Sequence, residues 1–202
     1  MKLIGLYDSP YVRRVAVTMR LYGFEFEHVA LSVFRHQEEM RKINPMMKVP
    51  MLVLDNGEKL ADSSFILDYL DSEMALEKRL TPASGPERRR DQQHCATALL
   101  TVEKAMQIVY DTTLRPKEFS YAPWVERCTD QMHTGFGLLE RLPASRALSG
   151  GSLTQGDITT AVVMRFVQHV LPAEVPEGRY PNLDRLSAFC ESLPAFIDIP
   201  LE

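Results

Sequence analysis

The rhythm of apolar and polar positions changes near the middle of the chain. From Lys2 to Tyr7 a short apolar run reads as a buried strand, broken at Asp8-Ser9-Pro10, where Pro10 suits the first turn of a helix. Val12, Val15, Ala16 and Met19 then recur at helical spacing, and Gly23 closes that helix. Glu25 to Leu31 alternates loosely and predicts a second strand, while Ser32 to Ile43 is polar with a faint helical pattern. Met51 to Leu54 is short and apolar, Asp55-Asn56-Gly57 tolerates a tight turn, and Glu58 to Ala61 returns as the partner strand. Asp62-Ser63-Ser64 offers N-cap side chains before Phe65, Ile66, Tyr69 and Leu70, which share one helical face. The predicted order is β-α-β-α-β-β-α over residues 1–78. A crossover helix makes the first two strands parallel and the tight turn makes the last two antiparallel. The expectation is a small mixed sheet with helices on its faces.

Beyond this the strand signal stops. Residues 79–85 read as a linker, with Thr81-Pro82, two small residues and Gly85. Residues 86–202 read as all-helical. Cys95, Leu99, Val102, Met106 and Val109 alternate steps of four and three, predicting a long amphipathic helix from Pro86 to Leu114. Trp124, Cys128, Met132, Gly135, Leu139 and Leu142 repeat the pattern in a second helix, stopped before Pro143. Ala161 to Phe166 is apolar on nearly every side except Arg165, so a third helix should be central. It opens with Thr154-Gln155-Gly156-Asp157, a capping box in which the acid reaches back to the cap residue. Leu183, Leu186, Cys190 and Leu193 mark a last helix, ended by Pro194.

Composition narrows the function classes. The 202 residues are 45% hydrophobic and carry a formal net charge of -4, with no basic stripe beyond Arg88-Arg89-Arg90, so a nucleic-acid role has no electrostatic footprint. The apolar run at the N-terminus is too short for a signal peptide or a membrane span. Cys95, Cys128 and Cys190 are widely spaced, form no C-x-x-C and sit at apolar helical positions, which suggests buried, reduced thiols in a cytoplasmic protein. The histidines form no H-x-x-x-H pair and no metal site is expected.

The chemistry concentrates between Ile43 and Leu70. A residue before proline is held extended, so the main chain of Val49 can pair with a ligand backbone, and a cis Val49-Pro50 bond would present it to solvent. The start of the next helix offers unpaired N–H groups to a carboxylate, and Asp62 beside it can take an ammonium group. Together they suit a small zwitterionic peptide. The plainer alternative is a trans proline and an ordinary helix cap.

With these residues assembled, the chain resembles the cytosolic glutathione transferases, most nearly the bacterial serine-type members and the omega and zeta classes. Four motifs carry the resemblance in order: Ser9-Pro10-Tyr11-Val12-Arg13-Arg14, Asn44-Pro45 with Lys48-Val49-Pro50, Asp62-Ser63, and Gly156-Asp157. The resemblance implies an α/β N-terminal thioredoxin-like domain plus an all-α C-terminal domain, a homodimer, and glutathione as co-substrate without a metal. By the same resemblance Val49, beside Pro50 and Lys48, would pair with the cysteinyl part. Asp62 and Ser63 would hold the γ-glutamyl end, Tyr11 would abut the tripeptide, and His36 would approach its glycyl carboxylate.

Ser9 is the expected catalytic residue. At the mouth of the first helix its hydroxyl can donate to the glutathione sulfur and favour the thiolate, although it can equally cap the helix. Tyr7 is a rival that should face the core. A serine cannot form a mixed disulfide, which favours conjugation of a small electrophile or reduction of a peroxide. Aspartate stands at position 62 where most relatives carry the longer glutamate. The electrophile pocket is expected at Phe34, Met106, Tyr110 and Trp124, with Arg115 ranked behind them. The alternative function is a non-catalytic member of the same fold that binds a protein partner; a thioredoxin-like redox role is disfavoured by the missing C-x-x-C.

Overall fold

The protein is described here by a computed structural model covering residues 1–143 and 145–201. It divides into two compact units, Met1–Leu80 with Ser192–Glu202, and Thr81–Glu191.

In the first unit the elements run β1 (Lys2–Ile4), α1 (Pro10–Tyr22), β2 (Glu27–Val29), α2 (Gln37–Ile43), β3 (Met51–Val53), β4 (Lys59–Ala61) and α3 (Ser63–Ser72). The sheet order is β2-β1-β3-β4. β1 lies parallel to β2, with Leu3 opposite His28, and antiparallel to β3, with Leu3 opposite Leu52. This is the small mixed sheet that the pattern of strands and helices predicts and the thioredoxin-like arrangement that the resemblance implies. Leu3, Leu52, Val12, Val15, Met19, Ile66 and Leu70 are buried to form its core.

Three local expectations need correction. α2 begins at Gln37 rather than Ser32, because the Ser32 hydroxyl accepts from the backbone N–H groups of Phe34 and Arg35 and folds that stretch as a turn. On α3 the buried face is Ile66, Leu67, Leu70 and Asp71, while Phe65 is 74% exposed. Asp71 replaces an apolar residue on that face because the Tyr22 hydroxyl, from the last turn of α1, donates to it. The same hydroxyl accepts the Leu80 N–H at 2.7 Å, tying the end of the unit to α1. The third correction concerns the C-terminus. Ser192–Glu202, read as part of the helical half, belongs to the first unit and contains a short further helix, Pro194–Ile197. Buried Arg13 of α1 holds it by donating from Nε to the Ile199 carbonyl at 2.9 Å, with its guanidinium 5.6 Å from the Phe196 ring.

The second unit contains α4 (Gly85–Val109), α5 (Ala122–Glu140), α6 (Gln155–Val170) and α7 (Pro181–Glu191); Pro194–Ile197 of the first unit is α8. α4 ends in a π-helical turn, Tyr110–Leu114, where an uninterrupted helix to Leu114 is predicted. Its buried stripe is Ala98, Thr101, Val102, Ala105 and Ile108, rotated from the predicted line through Cys95, Leu99 and Met106. The cause is the close approach of α5. A Cβ on Gly135 would fall 2.0 Å from Thr101 Oγ1, so small residues, not the largest apolar ones, occupy the contact. Cys95 is accordingly only partly buried, and Trp124 is exposed where the helical pattern placed it inside.

α6 is buried on almost every side, as predicted, and its capping box is formed. Thr154 N–H donates to Asp157 Oδ2 at 2.9 Å, and Asp157 N–H donates to Thr154 Oγ1 at 3.3 Å. Asp91 of α4 accepts the Gly156 N–H at 2.8 Å, and a Cβ on Gly156 would sit 2.7 Å from that oxygen. Burial pushes the Asp91 carboxyl above the usual carboxylate range, with the Asp157 charge adding to it, against the lowering effect of hydrogen bonds and His94.

Two predictions follow from these contacts. Gly135→Ala should cost about 1–3 kcal/mol in chemical denaturation, and adding Thr101→Ala should recover part of that loss. Because the folded state holds the Asp91 proton more tightly than the unfolded chain does, stability declines as pH rises from the ordinary carboxylate range through the raised value. Asp91→Asn keeps an acceptor for Gly156 and removes the charge. Its stability relative to the parent should therefore improve from acid to neutral pH in urea melts; a pH-independent difference would remove this account.

Candidate functional site

The loop ahead of β3 and the mouth of α1 are brought together at Gly5. Its φ is +132°, and a Cβ there would meet Val12 Cγ2 at 2.5 Å and Val49 Cβ at 3.0 Å. Only glycine allows β1, α1 and the Val49 loop to approach so closely. The Val49-Pro50 peptide bond is cis. Asn44 braces the loop from inside: its Nδ2 donates to the Lys48 carbonyl at 2.9 Å and its Oδ1 accepts the Met46 N–H at 3.1 Å. Met47 in the same loop takes a positive φ of 55°.

Ser9 occupies the N-cap of α1, half-buried, with extended backbone angles. Among the described residues its hydroxyl makes no capping hydrogen bond, so the helix start does not consume it. Tyr7 is buried and stacked on His28 with ring centroids 3.8 Å apart, the core-facing placement its strand position predicts. Partial burial raises the neighbouring Asp8 carboxyl above its ordinary range, opposed by the Arg35 charge and the Ser9 N–H.

At the mouth of α3, Asp62 is the N-cap with φ 67°, and its carboxylate accepts the Ser64 N–H at 2.7 Å. Ser63 is 3% exposed, and its hydroxyl accepts from Arg14 Nη1 at 3.2 Å. A longer contact of 3.5 Å joins the same nitrogen to Ser64 Oγ. The buried guanidinium of Arg14 therefore adds positive charge behind a helix N-terminus that already favours anions. Sequence reasoning gave Arg14 no role; the available signal is a charged residue within the buried stretch Val12 to Met19 of α1.

The remaining candidates are scattered. Tyr11 is half-buried in the first turn of α1, and Lys48 is exposed. His36 stands at the N-cap of α2, where its Nδ1 accepts the Ser32 N–H at 3.0 Å. Phe34 is exposed in the first unit. In the second unit Met106 is half-buried on α4, Tyr110 is exposed at the π-helical turn, and Trp124 is exposed on α5. Among the described residues no group of three or more His, Cys, Asp or Glu could hold a metal ion, and no helix is long and apolar enough to cross a membrane.

A thioredoxin-like sheet with a cis proline before β3, joined to a helical unit, defines a class of protein, and comparison with known proteins identifies the same class. Residues 3–78 match the family described as glutathione S-transferase, N-terminal domain. The uncharacterized GST-like protein YibF of Escherichia coli K12 is 35% identical over 71 residues, 35% of each chain. The first curated relatives are thus matched over well under two thirds of their length. A zeta class glutathione S-transferase of Euphorbia esula is 26% identical over 97% of this chain and 88% of its own. A glutathione S-transferase of Methylobacterium radiotolerans, crystallised with glutathione sulfonate, superposes with a TM-score of 0.90 at 26% identity, covering 100% of this chain and 95% of that one. Residues 3–78 thus match the glutathione S-transferase N-terminal domain, and the chain as a whole shares the fold of a solved glutathione S-transferase.

Asn44, itself buried, should matter to the loop that it braces. Asn44→Ala removes two partly buried hydrogen bonds and should cost about 1–3 kcal/mol. Amide exchange at Met46 to Val49 should quicken; unchanged exchange there would show that the loop is braced by other means.

Proposed function

We propose that the protein is a glutathione transferase of the serine type, binding glutathione as co-substrate and activating its thiol for attack on a small electrophile. The reading is carried by one observation. Gly5 brings Val49, with its cis proline, against the α1 helix whose N-cap position is Ser9, while Arg14 of that same helix reaches the mouth of α3.

Each part then has a task. The extended main chain of Val49 pairs with the cysteinyl residue of the tripeptide. The N–H groups at the start of α3 and the Ser63 region receive the γ-glutamyl carboxylate, supported by the Arg14 charge, and Asp62 takes the amino group. Tyr11 and Lys48 flank the tripeptide, and His36 lies toward its glycyl end. The Ser9 hydroxyl donates to the sulfur, and the α1 dipole adds a favourable field, so the thiol proton leaves for solvent more readily. The thiolate then forms a carbon–sulfur bond as the leaving group departs with its electron pair; with a peroxide, the sulfur attacks oxygen instead. Phe34, Met106, Tyr110 and Trp124 are the side chains proposed to meet the second substrate. A cytoplasmic homodimer is the working assembly. Support comes from the related enzyme of Methylobacterium radiotolerans, which carries glutathione sulfonate.

Ser9→Ala is the decisive substitution. It should raise the thiol pKa of bound glutathione by roughly one to two units, the effect of losing a hydrogen bond to a charged group. The change is read by ultraviolet thiolate absorbance against pH. Retention on immobilised glutathione should persist. An unchanged titration would reject Ser9 as the activator, and failure of the parent protein to bind glutathione would reject the whole reading.

A further inference from the structure

The end of β1 is held by a side chain that has no part in the proposed contacts with glutathione. In the parallel ladder with β2 the Glu27 N–H donates to the Met1 carbonyl at 3.0 Å, and the Gly5 N–H donates to the Val29 carbonyl at 3.1 Å. Continued along both strands, the same pattern would have the Leu31 N–H donate to the Gly5 carbonyl. It does not. The Leu31 N–H turns back to the Val29 carbonyl at 2.9 Å, a tight turn of a kind common at strand ends. The carbonyl of buried Gly5 pairs instead with the side chain of His28, whose Nε2 lies 2.7 Å away. A carbonyl only accepts, so Nε2 carries the hydrogen. The imidazole thus replaces a ladder donor that the backbone has withdrawn.

The same ring holds the β1–α1 loop at a second point. It stacks on Tyr7 with centroids 3.8 Å apart and planes 8° from parallel. Leu6, between the two clamped residues, accepts the Ser9 N–H at 3.1 Å, and the Ser9 carbonyl accepts the Arg13 N–H at 2.8 Å as α1 begins. One side chain on the edge strand β2 therefore fixes the residues on either side of Leu6, and through Leu6 the place of Ser9. Gly5 is also where Val12 and Val49 close on β1, so a shift of its peptide reaches the loop before β3 as well.

We propose that His28 is a positioning residue for thiol activation: it holds the loop at Gly5 and Tyr7 so that the Ser9 hydroxyl is in place to meet the sulfur of glutathione. It acts through Ser9, not on the sulfur. A hydrogen-bond donor stabilises a charge in full only when it is held in place beforehand, and a side chain as short as serine takes its position from its backbone. The proposal rests on the transferase reading for what Ser9 activates; the placement of Ser9 by His28 stands by itself.

Two substitutions separate the donor from the ring. His28→Phe keeps a flat ring and removes the donor, whereas His28→Gln places an amide N–H near the position of Nε2 and loses the stack. Both are made in the full-length protein, and circular dichroism establishes that each is folded; should His28→Phe not fold, His28→Asn, whose amide stops short of Gly5, takes its place. Without ligand, His28→Phe should quicken amide hydrogen exchange at Ser9 by roughly fivefold relative to Leu52 in β3, the scale of one lost hydrogen bond. With glutathione bound, it should raise the thiol pKa by about half a unit, read by ultraviolet thiolate absorbance. His28→Gln should recover most of both effects. In a Ser9→Ala background His28→Phe should add nothing to the thiol pKa, because the group being positioned is gone. Unchanged Ser9 exchange, an unchanged thiol titration, a His28→Gln protein as impaired as His28→Phe, or a full further shift in the Ser9→Ala background would each overturn the proposal. Failure of the parent protein to bind glutathione would remove the transferase reading, and Ser9 exchange would then decide the placement of Ser9 alone.

Discussion

A buried guanidinium on α1 is the contact on which the first unit's site depends. Arg14 reaches from the helix that starts at Ser9 to the Ser63 hydroxyl, so the mouths of α1 and α3 are joined by a buried side chain. Its neighbour Arg13 is equally buried but points to the C-terminal segment, where it meets Ile199 and Phe196. Two consecutive charged residues thus anchor one helix to two different elements. Burying a guanidinium is costly unless its donors are satisfied. The hydrogen bonds from these two guanidinium groups also fix where α1 ends up, and with it Ser9.

Gly5 sets the third side of the arrangement. Without a Cβ it lets Val12 and Val49 close on the end of β1, which carries the cis proline loop to the helix start. Asn44 then holds that loop by hydrogen bonding to its backbone on both sides. The proposed glutathione site is thus made of backbone and short side chains fixed by buried contacts, a preorganisation that lowers the cost of binding. The π-helical turn of α4 is a separate device. It interrupts a long helix where buried Asp111 pairs with the more exposed Arg115.

Much of this was legible in the linear chain. The β-α-β-α-β-β-α order, the tight turn at Asp55-Asn56-Gly57 and the capping box at Thr154 all follow from local signals, and the structure contains each. The motif residues Ser9, Val49, Pro50, Asp62 and Ser63 also announced themselves, because caps and X-Pro bonds have local chemistry. Less legible were the faces. Phe65 fits an apolar helical pattern yet lies in solvent, and Leu99 and Met106 gave way on α4 to Ala98, Thr101 and Ala105. Periodicity identifies a helix without fixing which neighbour comes closest, and here Gly135 made small residues the buried ones.

The sequence by itself determined the elements and their order, since propensities, caps and turns act over a few residues and need no distant partner. Only the tertiary structure decided what Arg13, Arg14, Asp71 and Asp111 do, and that the last residues return to the first unit. The physical reason is that a buried charge takes its meaning from a partner far along the chain, and no local pattern encodes that partner.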